Sequence, residues 1–233
     1  MRVLSVVGAR PQFVKLAATA RAFAERAGEV EHLVVHTGQH YDTAMSAAFF
    51  ADLTIPEPVV NLGVGSGSHG VQTGAILAGL DPVLADLAPD WVLVYGDTNS
   101  TLAAAVAAVK LGRPVAHLEA GLRSHNRAMP EEHNRVLTDH AADLCLAPTA
   151  AALGQLAAEG LAGRSVVVGD VMVDVLVRTL AAVREHPPEL PAACGEGPYV
   201  VATVHRQENT DDPRRRRGHA RPPRRPRGGR RAR

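Results

Sequence analysis

Four short stretches of the sequence place charged side chains directly after apolar runs, where a ligand site would need them. They are GARPQFVK (8–15), YGDTNST (95–101), HLEAGLRSHNRAMPEEHNR (117–135) and TVHRQEN (203–209). Cations beside the start of a helix suit a phosphate group, and crowded carboxylates supply both acid and base forms near neutral pH. The four stretches therefore predict a site that combines anion binding with acid–base chemistry.

Three carboxylates and one histidine are the acid–base candidates, and the carboxylates also have structural interpretations. Asp97 or Thr98 can cap the helix that follows them, and Glu131 suits the first turn of a helix whatever its role. A carboxylate at the end of a buried strand needs a cation, which Arg123 would supply to Glu119 from four residues on. The candidate catalytic residues are Asp97, Glu119, Glu131 and His205.

The predicted cations lie in the first and third stretches. Arg10 and Lys15 stand five residues apart at the start of a helix, and the chain has only one other lysine among its 25 basic residues. The alternative for both is an exposed position without a ligand, and a solvent-facing position is equally open for His205. The candidate substrate-binding residues are Arg10, Lys15, Arg123 and Arg135.

Two further patterns do not predict a cofactor. GSGSHG (65–70) fits a dinucleotide-binding G-x-G-x-x-G, but it follows no clear strand and no acidic residue stands at a strand end about 20 positions later. The eleven histidines show no HExxH and no paired Cys/His spacing, and His117 with Glu119 is too little for zinc. We expect no metal and no cofactor.

Apolar runs alternate with longer helical patterns, as they do when helices cover both faces of a sheet. We predict strands at 3–7, 32–36, 91–95, 114–118, 143–147 and 165–169, and helices at 11–27, 43–51, 71–87, 98–111, 131–142, 149–159 and 171–184. This repetition predicts an α/β fold with a Rossmann-like, doubly wound parallel sheet. Ligands gather at the carboxyl ends of such strands, where the four stretches would lie.

The charges divide the chain into an acidic body and a basic tail. Eleven of the 25 basic side chains are the arginines of 213–233, which leaves 14 basic against 24 acidic side chains elsewhere. An acidic body would repel nucleic acid, and a tail without apolar periodicity or aromatic residues has no means to form a core or stack on bases. We predict that the tail is disordered and binds polyanions non-specifically. Two cysteines, and no run near the length of a membrane span, predict a cytoplasmic protein without membrane association.

Six motifs in this order and spacing closely resemble those of the non-hydrolysing UDP-N-acetylglucosamine 2-epimerases. They are GARPQFVK, TGQHYD (37–42), YGDTNSTLA, HLEAGLRSHNRAMPEEHNR, LAPT and TVHRQEN, and the resemblance covers residues 1 to about 212. It implies a GT-B-like fold of two Rossmann-like domains with a UDP-sugar in the cleft. It also implies interconversion of UDP-GlcNAc and UDP-ManNAc for cell-surface polysaccharides, by elimination and re-addition of UDP.

The resemblance implies roles for individual residues as well. Cationic side chains would bind the charged part of the substrate, and carboxylates would exchange protons around C2 of the sugar. A homodimer is a further implication, as is an activating UDP-GlcNAc site near the TGQHYD motif. The implied residues are Arg10 and Lys15 for binding, Asp97, Glu119 and Glu131 around C2, His205 near the leaving diphosphate, and Gln39, His40 and His69 at the activating site.

The chain departs from the family pattern after the TVHRQEN motif. We predict an N-terminal domain at 1–183, a Pro/Gly linker at 184–198 and the first strand of an incomplete second domain within 199–212, at 199–205. The tail at 213–233 uses residues of GC-rich codons, which suggests an out-of-frame reading. We therefore expect a fragment with little or no activity by itself.

Two other functions share some of these features. A GT-B glycosyltransferase has the same architecture and would transfer the sugar to an acceptor. A nucleic-acid-binding protein would use the arginine tail, and sequence-selective binding by the body without that tail would favour it.

Overall fold

The computed structural model describes residues 1–39, 50, 53–187, 189 and 199–201. Its seven strands are β1 (Arg2–Val7), β2 (Glu31–His36), β3 (Val60–Asn61), β4 (Trp91–Tyr95), β5 (Val115–Leu118), β6 (Leu144–Ala147) and β7 (Ser165–Val167). Its helices are α1 (Arg10–Ala24), α2 (His69–Leu87), α3 (Asn99–Lys110), α4 (Pro130–Ala141), α5 (Ala150–Ala158) and α6 (Val171–Glu185), with a 3₁₀ turn at Ala162–Arg164.

All strand pairs are parallel and form a single sheet in the order β3-β2-β1-β4-β5-β6-β7. The order reverses between β1 and β4, so helices pass to both faces of the sheet, as right-handed crossovers require. This is the doubly wound α/β sheet that the sequence predicts. All carboxyl ends share one edge, which brings the segments after β1, β4 and β5 together.

Apolar side chains of the strands alternate between two buried clusters, one on each face. On β1, Leu4 and Val6 face the side covered by α2 and α3, whereas Val3 and Val7 face α1. The α3 helix buries a run of five alanines at Ala103–Ala105, Ala107 and Ala108, which lets it lie close to the sheet. Burial on both faces explains why the strand sequences lack polar alternation.

The structure differs from the predicted elements at three places. The two-residue strand β3 is too short for the hydrophobic pattern to reveal, and β7 ends at Val167 rather than at residue 169. Most of the predicted helix at 43–51 lies outside the described residues. Of the predicted strand at 199–205, the described residues Tyr199–Val201 have no regular secondary structure.

Contacts divide the chain into two units, Met1–His186 and Pro187–Arg233. The first unit holds every helix and strand named above, and the predicted limits of the later segments remain predictions. In the part of the chain that the structure describes, no helix combines the length and apolar character that crossing a membrane demands.

The α6 helix carries an exposed apolar stripe that we call the α6 stripe. Its members recur every three or four residues along one side of the helix, and Leu176 and Val177 are more than half exposed. The stripe consists of Val173, Leu176, Val177, Leu180 and Val183. Asp170 caps this helix by accepting a hydrogen bond from the Met172 amide at 2.9 Å.

Candidate active site

A lysine and a glutamate from distant segments form the centre of the candidate site. The Lys15 ammonium group, in the second turn of α1, contacts the Oε2 atom of Glu119, which follows β5. Lys15 is only 9% exposed, and this burial lowers its pKa while the charges of Asp97 and Asp170 act to raise it. A nearly buried ammonium group that already pairs with one anion can also form an ion pair with a negatively charged group of a ligand.

Glu119 has a backbone conformation that is rare for a residue with a side chain. Its φ angle is +72°, in the left-handed region. The amides of Glu119 and Ala120 both donate to the Leu146 carbonyl oxygen, at 3.1 and 3.2 Å, which fixes this turn. Strained backbone of this kind is found mainly at functional sites. It persists only where the surrounding structure holds it in place.

Gly96 provides the space in which the Lys15–Glu119 pair lies. Its φ angle is +63°, and a Cβ atom at this position would lie 2.9 Å from Lys15 Nζ and 3.1 Å from Glu119 Oε2. Glycine is therefore favoured in the turn after β4 for two reasons, its positive φ angle and the space that the ion pair occupies.

Asp97 is directed toward the site and does not cap a helix. The cap of α3 is Thr98, whose hydroxyl accepts a hydrogen bond from the Thr101 amide. The Asp97 carboxylate contacts Arg135 of α4 instead, and it keeps about a third of its side chain exposed. This resolves the capping alternative in favour of Thr98 and leaves Asp97 open to a ligand.

Arg135 joins Asp97 to the start of α4. Its second guanidinium nitrogen donates to Glu132 Oε2 at 2.9 Å. Burial acts to raise the pKa of Glu132, but hydrogen bonds from Ser124 and His125, together with Arg135, hold it at about 2. The carboxylate of Glu132 thus accepts hydrogen bonds from the loop before α4.

The adjacent Glu131 is in the opposite situation. It is half-buried, and among the described residues it makes no hydrogen bond or ion pair. Of the two neighbouring glutamates, Glu131 is thus the one without a partner among the described residues, and its catalytic role stays a prediction.

Arg123 does not neutralise Glu119 as the sequence analysis proposed. It pairs with Asp139 and Glu159, each at 2.7 Å, and its side chain is only 3% exposed. The i+4 spacing is misleading because residues 119–121 form a turn and residues 122–123 have no regular secondary structure, so this segment is not a helix. These two carboxylates occupy the guanidinium group, and the structure gives no support to a substrate contact by Arg123.

The residues predicted for an activating site lie along a second polar network. Gln39 Oε1 accepts from Ser100 Oγ at 2.6 Å, and His69 Nδ1 lies 3.1 Å from Asn99 Nδ2. Asn134 donates to Asn99 Oδ1 and to the Asp97 carbonyl oxygen, at 3.2 and 2.9 Å. The network thus runs from Gln39 and His69 to the backbone of the turn that carries Asp97.

The remaining predicted residues are His40, His205 and Arg10. His40, His205 and the tail at 213–233 lie outside the described residues, and Arg10 is half-buried at the first position of α1. A cavity of about 910 Å³ lies elsewhere, between α1 and α6, and none of the described site residues lines it. No group of three or more metal-ligating side chains occurs in the described part of the chain.

Sequence reasoning missed several amides that hold the site together. Gln12 accepts from the Gly8 amide at 2.8 Å and donates to the Tyr95 carbonyl oxygen at 2.9 Å, which ties the start of α1 to the end of β4. Gln12, Asn99 and Asn134 lie within the quoted motifs, so their positions in the sequence could have indicated a role in the site. Gln72, which accepts from Asn99 at 2.8 Å, had no comparable signal.

A family model described as UDP-N-acetylglucosamine 2-epimerase matches residues 22–221. The chain belongs to the UDP-N-acetylglucosamine 2-epimerase family. The match includes every candidate site residue named above except Arg10 and Lys15, which precede it.

Relatives of the chain within the family are similar along most of its length. A UDP-N-acetylglucosamine 2-epimerase homolog of Methanococcus maripaludis is 47% identical over 213 residues, which cover 91% of this chain and 59% of the relative. The UDP-2,3-diacetamido-2,3-dideoxy-D-glucuronate 2-epimerase of Pseudomonas aeruginosa is also 47% identical, over 91% of this chain and 60% of the relative. The chain therefore spans about three fifths of the length of these relatives.

A solved structure supports the GT-B-like assignment of the fold. The Methanocaldococcus jannaschii UDP-GlcNAc 2-epimerase, solved in complex with UDP-GlcNAc and UDP, matches with a TM-score of 0.77 and 42% identity. The match covers 80% of this chain and 51% of that structure's chain.

Proposed function

We propose that this chain supplies the acid–base wall of a UDP-N-acetylglucosamine 2-epimerase, which interconverts UDP-GlcNAc and UDP-ManNAc. The observation that carries the proposal is the convergence of Lys15, Glu119, Asp97 and Arg135 at the carboxyl edge of one sheet. A nucleotide sugar carries two phosphates, which suit cations, and a carbon-bound proton, which needs a base.

In the proposed reaction a carboxylate removes the proton from C2 of the sugar while the C1–O bond breaks and UDP leaves. The C2–H electron pair becomes the C1=C2 double bond, and UDP carries away the electron pair of the C1–O bond. Re-addition of UDP to C1, with a proton delivered to the other face of C2, gives the epimer. The cations offset the charge of the departing diphosphate.

We assign the proton transfers to Asp97, Glu119 and Glu131. Asp97 and Glu119 each keep part of their carboxylate exposed beside a cation, and Glu131 has no partner among the described residues. Lys15 and Arg135 would approach the diphosphate or hold these carboxylates in place. His205 near the diphosphate and an activating site at Gln39, His40 and His69 remain parts of the proposal that rest on the family resemblance.

The Pseudomonas aeruginosa relative suggests an alternative substrate. It is named as a 2-epimerase of UDP-2,3-diacetamido-2,3-dideoxy-D-glucuronate. It is as similar to this chain as the Methanococcus maripaludis relative is. Both reactions invert C2, which carries an acetamido group in either sugar, so the same carboxylates would serve both. A sugar carboxylate would need one more cation than UDP-GlcNAc does.

Binding to the chain itself is the direct test of the site. Titration of the ¹⁵N-labelled chain with UDP-GlcNAc, followed by NMR, should shift the amides near Lys15, Gly96 and Arg135. UDP-2,3-diacetamido-2,3-dideoxy-D-glucuronate, added in a parallel titration, ranks the two substrates. Shifts confined to other surfaces, or none at saturating concentrations, would remove the basis of the proposal.

Catalysis is tested with a chimera in which the remaining part of the M. jannaschii relative is joined to residues 1–186. In D₂O the epimerisation replaces the C2 proton by deuterium, which ¹H NMR detects. The proposal expects deuterium at C2 of both epimers. A folded chimera that binds UDP but leaves the C2 proton in place would contradict it, and sugar transfer to an acceptor would indicate a glycosyltransferase.

A further inference from the structure

A buried histidine beside the candidate site faces two hydrogen-bond acceptors. His117 of β5 is fully buried, and its Nδ1 lies 2.6 Å from Asp139 Oδ1. Its Nε2 lies 2.7 Å from the carbonyl oxygen of Gly96. Each ring nitrogen therefore meets an oxygen atom, one from a carboxylate and one from the backbone.

Only one protonation state of the imidazole satisfies both contacts. A neutral imidazole has one N–H donor and one acceptor nitrogen, so either tautomer would direct a lone pair at an oxygen atom less than 3 Å away. A carbonyl oxygen has no proton to donate. Both contacts are hydrogen bonds only if both ring nitrogens carry protons, as they do in the imidazolium ion.

The surroundings supply the negative charge that a buried imidazolium requires. Burial acts to raise the pKa of Asp139, but its contacts with His117 and Arg123 lower it overall, which keeps this group a carboxylate. Its other oxygen accepts from the Gly121 amide at 3.0 Å and pairs with Arg123 at 2.7 Å. Arg123 pairs in turn with Glu159, which lies 3.3 Å from His140 Nε2.

We propose that His117 is a positioning residue that acts as a buried imidazolium and fixes the Gly96 carbonyl group. The Gly96 turn carries Asp97 on one side, and its missing side chain makes room for the Lys15–Glu119 pair. A charge-assisted hydrogen bond holds this turn more firmly than a neutral one would. His117 also joins β5 to the start of the Glu119 turn through Asp139 and Gly121.

The importance of this contact for catalysis rests on the proposed function, because it depends on Asp97 and Glu119 acting on a substrate. The protonation state of His117 does not depend on it. The two parts therefore have separate tests.

The protonation state is tested by NMR of the chain labelled with ¹⁵N in its histidine rings, at neutral pH. Both ring nitrogens of His117, assigned through contacts to Gly96 and Asp139, should show the shifts and couplings of N–H groups. His32 is the internal reference, since burial lowers its pKa to about 4 and its Nε2 lies 2.8 Å from Ser5 Oγ. An unprotonated nitrogen on His117 would overturn the proposal.

The positioning role is tested in the active chimera with His117→Gln, and with Asp139→Asn as a second variant that keeps the ring. We expect kcat to fall at least about tenfold with a smaller change in KM, because the catalytic groups shift while the binding surface remains. The amide shifts of Gly96 and Asp97 should move in both variants. The matched control is His32→Gln, at a half-buried histidine of β2, which should leave these shifts and kcat unchanged.

These outcomes separate the two proposals. A chimera without any activity contradicts the proposed function but leaves the NMR result on His117 standing. Normal kcat in folded His117→Gln would overturn the positioning role even if the imidazolium is observed.

Discussion

Lys15 of α1 and Glu119 after β5 form an ion pair although 104 positions separate them in the chain. The pair exists because β1 and β5 both lie next to β4 in a parallel sheet, so the segments that follow them meet at one edge. Gly96, which follows β4 itself, lies beside the pair. The segments that follow three neighbouring strands thus contribute one residue each to the centre of the site.

Replacement of Lys15 by Met should lower the free energy of unfolding by about 2 kcal/mol, because a partly buried carboxylate loses its partner. Urea denaturation of the chain measures this change, and the NMR titration measures the accompanying loss of UDP-GlcNAc binding. The matched control is Lys110→Met, which changes the chain's other lysine at the exposed end of α3. Equal effects of the two substitutions would show that the Lys15 environment has no special importance.

Gly96→Ala should destabilise the chain more than Gly112→Ala does. Both glycines have a positive φ angle, +63° and +65°, so alanine strains the backbone equally at either position, by about 1 kcal/mol. Only at Gly96 would the added Cβ atom also press against Lys15 Nζ and Glu119 Oε2. The difference between the two midpoints of urea unfolding isolates this crowding, and the absence of a difference would argue against the described packing.

The two adjacent glutamates of α4 should respond to substitution in opposite ways. Glu131→Gln should lower the free energy of unfolding by less than about 1 kcal/mol, which is the contribution of an acid in the first turn of a helix. It should reduce C2 deuteration by the chimera about 100-fold or more. Glu132→Gln should lower the free energy of unfolding at pH 7 by about 2 kcal/mol, because it weakens the hydrogen bonds from Ser124 and His125. Unchanged deuteration in Glu131→Gln would remove that residue from the mechanism.

The contribution of Glu132 to stability should also depend on pH. Its pKa in the folded chain is about 2, below its ordinary value of 4.5, so the folded state favours the ionised form. The resulting stabilisation is fully present above about pH 4.5 and is lost as the pH falls toward 2. Urea unfolding of the chain and of Glu132→Gln at pH 7 and pH 3 should therefore show a smaller difference at the lower pH. A difference that is constant or larger at pH 3 would contradict this account.

Asp97→Asn should abolish most of the deuterium exchange while the fold persists, because the amide keeps the shape of the side chain but neither the charge nor the basicity. Asp90→Asn is the matched control at the other end of β4, where the carboxylate accepts a hydrogen bond from the Arg2 amide at 2.7 Å. We expect the control to retain full activity in the chimera. Comparable loss in both variants would indicate a general effect of strand β4 rather than a catalytic carboxylate.

The fold was largely predictable because its strands are buried on both faces. Burial on both sides makes each strand a nearly continuous apolar run, and β1, β2, β4, β5 and β6 are recognised from that pattern alone. The short strand β3 escaped because two residues carry no periodicity, and its pairing with Val35 and His36 depends on tertiary context. The order of the strands in the sheet follows from the preference for right-handed crossovers between parallel strands, and no local sequence pattern indicates it.

The candidate site was predictable in its residue types but not in its pairings. The sequence predicts Asp97, Glu119 and Glu131 as a group of carboxylates and Arg10 and Lys15 as the cations, because charged residues next to buried strands need a partner or a ligand. Their partners could not be predicted, since Arg123 is near Glu119 in sequence but turns toward Asp139, and Arg135 reaches back to Asp97 from another helix. His117 was considered only as a metal ligand, because its two acceptors become visible only in the folded chain.

The α6 stripe determines how this chain behaves in concentrated solution. About three turns of exposed valine and leucine favour association between molecules at high concentration, because association removes this apolar surface from water. The apparent molar mass of the purified chain, measured by light scattering, should rise with concentration, and this rise should be smaller when Val177 is replaced by lysine. Spectroscopy on dilute samples, or on that lysine variant, would then report the properties of single molecules rather than of clusters.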